Sequence, residues 1–279
     1  MTPWPLDRVL GLMAEAGYDG VEIKGFRSHP ADYDTPAKCQ QLRRQIEAFG
    51  LGISGYVPSF FEVPPALVQT DAYPQVFRKC LAFCANCGIT TLRVDSVSRP
   101  TPLTPSADAA RFCQRSRTWH AAAQEAARAG VQTVWEFQPG FWLNKPSEVM
   151  RLAEAVEHAN FKLLFDTSHA YMGALVEGRQ TGAAELLPGG VAEYGRRLAA
   201  RVGHFHLTDS DGSLHNNETS NHTAFGEGRI DFMEVLSALQ PVVGHLPRWC
   251  VDFCFNPLMP IAGKAAVPFV RRLMQGALV

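Results

Sequence analysis

Lys162-Leu-Leu-Phe-Asp166 is a short apolar run that stops on an acid, and Thr167-Ser-His169 follows it at once. The same pattern recurs outward along the chain. Downstream, Val202-Gly-His-Phe-His-Leu207 and Trp249-Cys-Val-Asp-Phe253 read as strands carrying acids or imidazoles toward their ends. Upstream, Gln132-Thr-Val-Trp-Glu-Phe137, Thr91-Leu-Arg-Val-Asp95, Gly52-Ile-Ser-Gly-Tyr56 and Val21-Glu-Ile-Lys24 complete the set. Longer helix-patterned stretches separate them, which predicts a parallel sheet with crossover helices. Several helices end on glycine, at Ala16-Gly17, Phe49-Gly50, Cys87-Gly88 and Ala129-Gly130, where a left-handed residue stops the helix before the next strand. The helix over Ala109 to Ala129 is rich in good helix formers.

The expected fold is therefore a (β/α)8 TIM barrel, formed as a single domain over residues 1–279. Only seven strands are visible in the sequence, and the chain opens almost directly into a helix, Leu6 to Ala16. The first barrel strand is missing or truncated, with Met1–Pro5 at most a stub. An open doubly wound sheet is the alternative. The acids and histidines at the ends of the later strands favour a barrel, whose sites lie at the C-terminal ends of its strands.

Composition narrows the function. Hydrophobic residues make up 46% of the chain and charged residues 19%, enough to build a large core. Twenty-six basic residues against 27 acidic ones give a net charge of -1, so no electrostatic footprint for nucleic acid or an anionic membrane exists. No apolar run approaches the roughly 20 residues of a membrane span, and Met1-Thr-Pro-Trp-Pro-Leu-Asp-Arg8 is not a secretory signal. Seven scattered cysteines do not form a disulfide framework. The expected location is the cytoplasm. The expected partner is a small carbohydrate-like molecule, with a homo-oligomer compatible with the same composition.

The chemistry concentrates at four consecutive strand ends: Glu136, Asp166, His206 and Asp252. Parallel strands aim these side chains at one axis. Any one acid at such a position reads equally well as a helix cap, and either His204 or His206 reads as a hydrogen-bonded core histidine. Together, three buried carboxylates would repel one another unless a cation compensates. The expected cofactor is a divalent metal held by Glu136, Asp166, His206 and Asp252: Mn²⁺ first, with Mg²⁺, Co²⁺ or Zn²⁺ as alternatives.

Ala16-Gly-Tyr-Asp-Gly-Val-Glu22, Trp135-Glu-Phe-Gln-Pro139, Phe165-Asp-Thr-Ser-His-Ala170, His204-Phe-His-Leu-Thr-Asp209 and Phe225-Gly-Glu-Gly-Arg-Ile-Asp231 together resemble the xylose isomerase-like barrels. That family includes sugar epimerases, hydroxypyruvate isomerase and inosose dehydratase. The resemblance implies that the metal ligands fall on Glu136, Asp166, His206 and Asp252, that Glu136 and Asp252 transfer the substrate proton, and that His169 lies near substrate. The activity it implies is isomerisation or epimerisation of a small keto-sugar or polyhydroxy carbonyl compound. A dehydratase of the same family and a non-catalytic or partner-dependent sugar-binding barrel are the alternatives. One departure is that the family's epimerases usually carry Glu where this chain has Asp252, one methylene shorter.

Endonuclease IV is a more distant resemblance that shares Asp166, His169, His206 and His222. It needs an Asp where this chain has Ser220, and further histidines where it has Asp95 and Ser96, so a DNA-repair role is not expected. His222, Arg93 and Trp142 complete the substrate-side candidates. Arg93 and Lys24 read equally as ion-pair neighbours of Asp95 and Glu22, and Trp142 as packing. Cys80, Cys84 and Cys87 match an iron–sulfur spacing, but at i, i+4 and i+7 they line one helix face and read as core.

Overall fold

A computed structural model describes residues 4–25, 33–60, 72–97 and 104–277. Seven parallel strands form one sheet: β1 (Gly20–Gly25), β2 (Gly52–Pro58), β3 (Thr91–Val94), β4 (Gln132–Glu136), β5 (Phe161–Asp166), β6 (Val202–Leu207) and, last, β9 (Cys250–Val251). Between β6 and β9 the chain makes a small antiparallel hairpin, β7 (Leu214–His215) and β8 (Thr219–Ser220). The helices are α1 (Leu6–Ala16), α2 (Pro36–Glu47), α3 (Ala72–Cys87), α4 (Pro105–Arg128), α5 (Pro146–Ala155), α6 (Thr167–Leu175), α7 (Gly190–Leu198), α8 (Phe232–Val243) and α9 (Met259–Ala277). Strand order follows chain order, as in a TIM barrel that lacks one strand. None of the helices among the described residues is long and apolar enough to cross a membrane.

The sequence signals act locally as expected. Gly17, Gly50, Gly88 and Gly130 all have positive φ, 69–89°, and α1 closes on Gly17 in the left-handed region. Prolines begin α2 and α4, each behind a threonine N-cap whose hydroxyl accepts a backbone N–H. The two-residue alternation of the strands then sorts side chains between two layers. Trp135, Phe165 and Phe205 face outward: Trp135 meets Trp119 of α4 at 5.2 Å between ring centroids, and Phe165 meets Tyr194 of α7 at 6.3 Å. Their neighbours Glu136, Asp166, His204 and His206 consequently face inward.

Two edges remain. Among the described residues β1 pairs only with β2 and β9 only with β6, so the described sheet stays open between β9 and β1. A cavity of about 710 Å³ occupies that opening. Leu10 and Met13 of α1, Ile23 of β1 and Val251 of β9 line its apolar part, and its polar end reaches His206 and Asp252. The opening is where the sequence has no strand.

Candidate metal centre and active site

Glu136, Asp166 and His206 each arrive from their own strand, and Asp252 from the residue that follows β9. Register sets Asp166 of β5 opposite His206 of β6, and His206 opposite Cys250 of β9, two residues short of Asp252. His206 Nδ1 is the common point. It stands 3.4 Å from Glu136 Oε1, 3.8 Å from Asp166 Oδ2 and 3.9 Å from Asp252 Oδ2. Glu136, Asp166 and His206 are buried and spaced to share one ion. Asp252 brings Oδ2 to 3.9 Å from the same nitrogen but stands outside the group of three that could share one ion.

The donor set fits a cation. Asp166 Oδ2 and His206 Nδ1 are buried and have no hydrogen-bond partner among the described residues. Buried polar atoms normally find partners. Asp166 Oδ1, by contrast, accepts the His169 N–H at 2.9 Å and caps α6, so one oxygen builds the helix while the other faces the cluster. The acid is both cap and candidate ligand.

Charge is organised around this point. Glu136 Oε2 accepts from Arg93 Nη1 and, at 2.8 Å, from Gln138 Nε2. Burial pushes its pKa up, but Arg93 with His206 and His169 holds it below the usual carboxylate range. Burial likewise opposes ionisation of Asp252, and His222, His206 and Lys24 reverse that and keep it well below its ordinary value. His206 is pulled down by burial and lifted above its ordinary value by Glu22 and Glu136. Asp95 sits at the rim of this network, bound to Arg93 Nη2 at 2.8 Å, and burial leaves its pKa raised to about 6.

His169 and His222 flank the cluster with ring centroids 5.4 Å apart. Ser220 Oγ fixes His169 Nδ1 at 2.7 Å, and His222 Nδ1 lies 3.7 Å from Asp252 Oδ1. Arg93 is brought to the cluster as a partner of Glu136 and Asp95. Trp142 is not: its indole donates to Asp108 Oδ1 at 3.3 Å and lies under Arg111, 4.3 Å from the ring centre, against α4. Lys24 pairs with Cys254 Sγ at 2.9 Å and not with Glu22.

Three residues were missed in the sequence. Glu22 lies beside both inward histidines of β6. Ser220 holds His169. Asp209 accepts four backbone N–H groups from the loop that carries Ser220 and His222. Strand parity could have found Glu22, since it shares a face with Lys24. The other two depend on loop geometry. Cys80, Cys84 and Cys87 lie buried on α3, and burial pushes Cys80 and Cys87 up to about 12, so they sit there as protonated core thiols.

A family model described as xylose isomerase-like TIM barrel matches residues 10–242. No curated protein matches the chain. Among solved structures, an L-ribulose 3-epimerase superposes with a TM-score of 0.74 at 18% identity, covering 98% of this chain and 89% of that one. A D-psicose 3-epimerase with D-tagatose from Clostridium cellulolyticum H10 gives 0.70 at 15% identity, covering 98% and 94%. The IOLI protein with a binding zinc atom gives 0.70 at 15%, covering 99% and 93%. At such identities these likenesses show the fold.

Proposed function

The chain belongs to the xylose isomerase-like TIM barrel family, and we propose that it is a divalent-metal-dependent isomerase or epimerase of a small keto-sugar or related polyhydroxy carbonyl compound. One observation carries the reading: the carboxylates of Glu136 and Asp166, from two strands, and of Asp252, from the residue after β9, converge on His206 Nδ1, and the facing oxygen of Asp166 has no hydrogen-bond partner among the described residues. Glu136, Asp166, His206 and Asp252 would hold the ion. Oxygen-rich ligation with one imidazole suits Mn²⁺ first, with Mg²⁺, Co²⁺ and Zn²⁺ following. Solved relatives of the same fold include sugar epimerases and a zinc-bound protein, which agrees with this reading.

A bound cation supplies positive charge where negative charge develops on a substrate oxygen as the neighbouring carbon loses its proton. The chain's own residues then divide the remaining work. Glu136 is 2% exposed and tied by Arg93 and Gln138, so it is an anchor that stays ionised. Asp252 is 29% exposed and lines the cavity, so it is the group that can meet a carbon-bound proton. His169, oriented by Ser220, and His222 offer hydrogen bonds to substrate hydroxyls. Returning the proton from Asp252 to the adjacent carbon gives an isomer, whereas an epimer also needs a proton donor on the opposite face, for which Glu136 is the remaining candidate carboxylate. Departure of a β-hydroxyl instead gives the dehydratase outcome.

The test is solvent deuterium incorporation into a panel of ketoses and inososes, with metal-stripped protein resupplied with Mn²⁺ or Co²⁺. Exchange that returns with metal and is abolished in Asp166→Asn is expected. Full exchange in excess chelator overturns the metal reading, and binding without exchange or product leaves a sugar-binding barrel.

A further inference from the structure

Glu22 stands outside the set of four residues assigned to the ion, yet both its oxygens are committed. Oε1 is 2.7 Å from His204 Nε2, and Oε2 is 2.8 Å from His206 Nε2, an ion-pair contact off the line of an ideal hydrogen bond. His206 is therefore addressed on two sides: Glu22 at Nε2, and the three carboxylates at Nδ1. An imidazole that ligates a metal through one nitrogen normally presents its other N–H to a carboxylate or carbonyl, which sets both tautomer and ring orientation.

The space for Glu22 is prepared by the neighbouring strand. Glu22 and Gly55 are register partners, directly after an irregularity in the β1–β2 pairing. A Cβ at Gly55 would come within 2.8 Å of Glu22 Oε1. Glycine there leaves the carboxylate its seat, and His204 holds it from the far side.

We propose that Glu22, seated over Gly55 and held by His204, is a positioning residue that keeps the Nε2 proton of His206 in place and presents Nδ1 to the metal. This rests on the metal reading above. Glu22 lines the cavity and lies beside His204, His206 and Cys250, a group that could itself hold an ion; the role assigned to it is exerted through His206.

The experiment is titration of metal-stripped protein with Mn²⁺ alone by calorimetry, alongside the visible spectrum of the Co²⁺-loaded protein. Glu22→Gln is expected to weaken Mn²⁺ binding by roughly 10–100-fold, the usual effect of losing such a partner, and to change the Co²⁺ spectrum while circular dichroism is retained. Gly55→Ala, which displaces the carboxylate without removing it, is expected to shift both readouts in the same direction. It serves as the test if Glu22→Gln does not fold. Wild-type Mn²⁺ affinity and an unchanged Co²⁺ spectrum in whichever variants fold overturn the inference and leave the metal reading standing. Failure of the wild type to bind either ion overturns the metal reading itself.

Discussion

Replacing Asp209 by Asn is expected to loosen the loop that holds the flank of the site, by an amount that can be worked from its contacts. Asp209 is 2% exposed. Its Oδ1 accepts the N–H of Ser210 at 2.9 Å and of Ile230 at 3.2 Å, and its Oδ2 accepts those of Gly226 at 3.0 Å and Gly228 at 3.1 Å. No room is left for another arrangement, because a Cβ at Gly228 would overlap this carboxylate. Asparagine turns one oxygen into a donor, so two backbone N–H groups face an NH₂. A fully buried donor left unpaired costs about 1–3 kcal/mol, and because the Gly226 and Gly228 bonds are only partly buried the pair costs at most about 2–6 kcal/mol. At about 2–4 °C per kcal/mol for a chain somewhat shorter than this one, the melting point should fall by at most about 5–20 °C. Calorimetry measures the fall, and limited proteolysis should find new cleavage between residues 210 and 230. Asp211→Asn is the control, since Asp211 bonds only locally to Ser213 and is solvated. A loss below about 1 kcal/mol for Asp209→Asn, or one equal to the control, refutes the reasoning.

Stability of the metal-free protein should fall as pH rises through the range set by His204. Burial lowers that group's pKa, but Glu22 and Cys250 outweigh it and raise it to about 9 from 6.5. The folded state thus holds this proton more tightly than the unfolded state, so the stabilisation is complete below about pH 6.5 and is lost toward pH 9. Urea unfolding should show a drop of at most about 3 kcal/mol over that window, and an equal slope in His204→Phe counts against it. Leu10→Ala should cost near the lower end of the usual 2–5 kcal/mol, because Leu10 borders the open cavity, whereas Leu163→Ala, packed inside the core, should cost near the upper end. Equal losses in denaturant titrations would contradict that ranking. Native protein treated with a thiol reagent should be labelled first at exposed Cys113, with Cys80, Cys84 and Cys87 protected until unfolding. Fast labelling of these three would mean that α3 opens readily.

Most of the strands were readable as short β-rich runs, and the first four follow glycine-ended helices. Gln132-Thr-Val-Trp-Glu136 illustrates this: one face packs on α4 and the other carries Glu136 inward. The last strand is the exception. Trp249 to Phe253 reads as five strand residues, but only Cys250–Val251 are paired. Asp252 is consequently delivered from the first residue after the strand. The interior positions of the four strand-end residues followed from parity, but their pairings did not. Arg93 could have gone to Asp95 alone, and the structure adds Glu136. Lys24 looked like a partner for Glu22, two residues away on one face. The histidines of β6, 182 and 184 residues distant in sequence, compete for that carboxylate and take it. Such contacts depend on which strands come face to face across the barrel, which local patterns do not encode. Trp142 shows the opposite failure, a loop aromatic drawn by Asp108 and Arg111 to the outer helix layer.

The opening between β9 and β1 bears on how the two candidate proton carriers divide their roles. β3 to β6 are paired on both sides and deliver Arg93, Glu136, Asp166 and His206 from continuous sheet. Backbone so constrained fixes side chains to the tolerance that metal ligation requires. Asp252 follows a two-residue edge strand, and its Oδ1 accepts the N–H of Cys254 at 2.8 Å in a short local turn. Of the three carboxylates around His206 Nδ1 it is thus the one with the least rigid support, and the one that lines the cavity. A ligand that only anchors gains from rigidity, whereas a group that must accept a proton and return it elsewhere needs access and some freedom of movement. The barrel's closed side therefore suits ion binding, and its open side suits proton transfer.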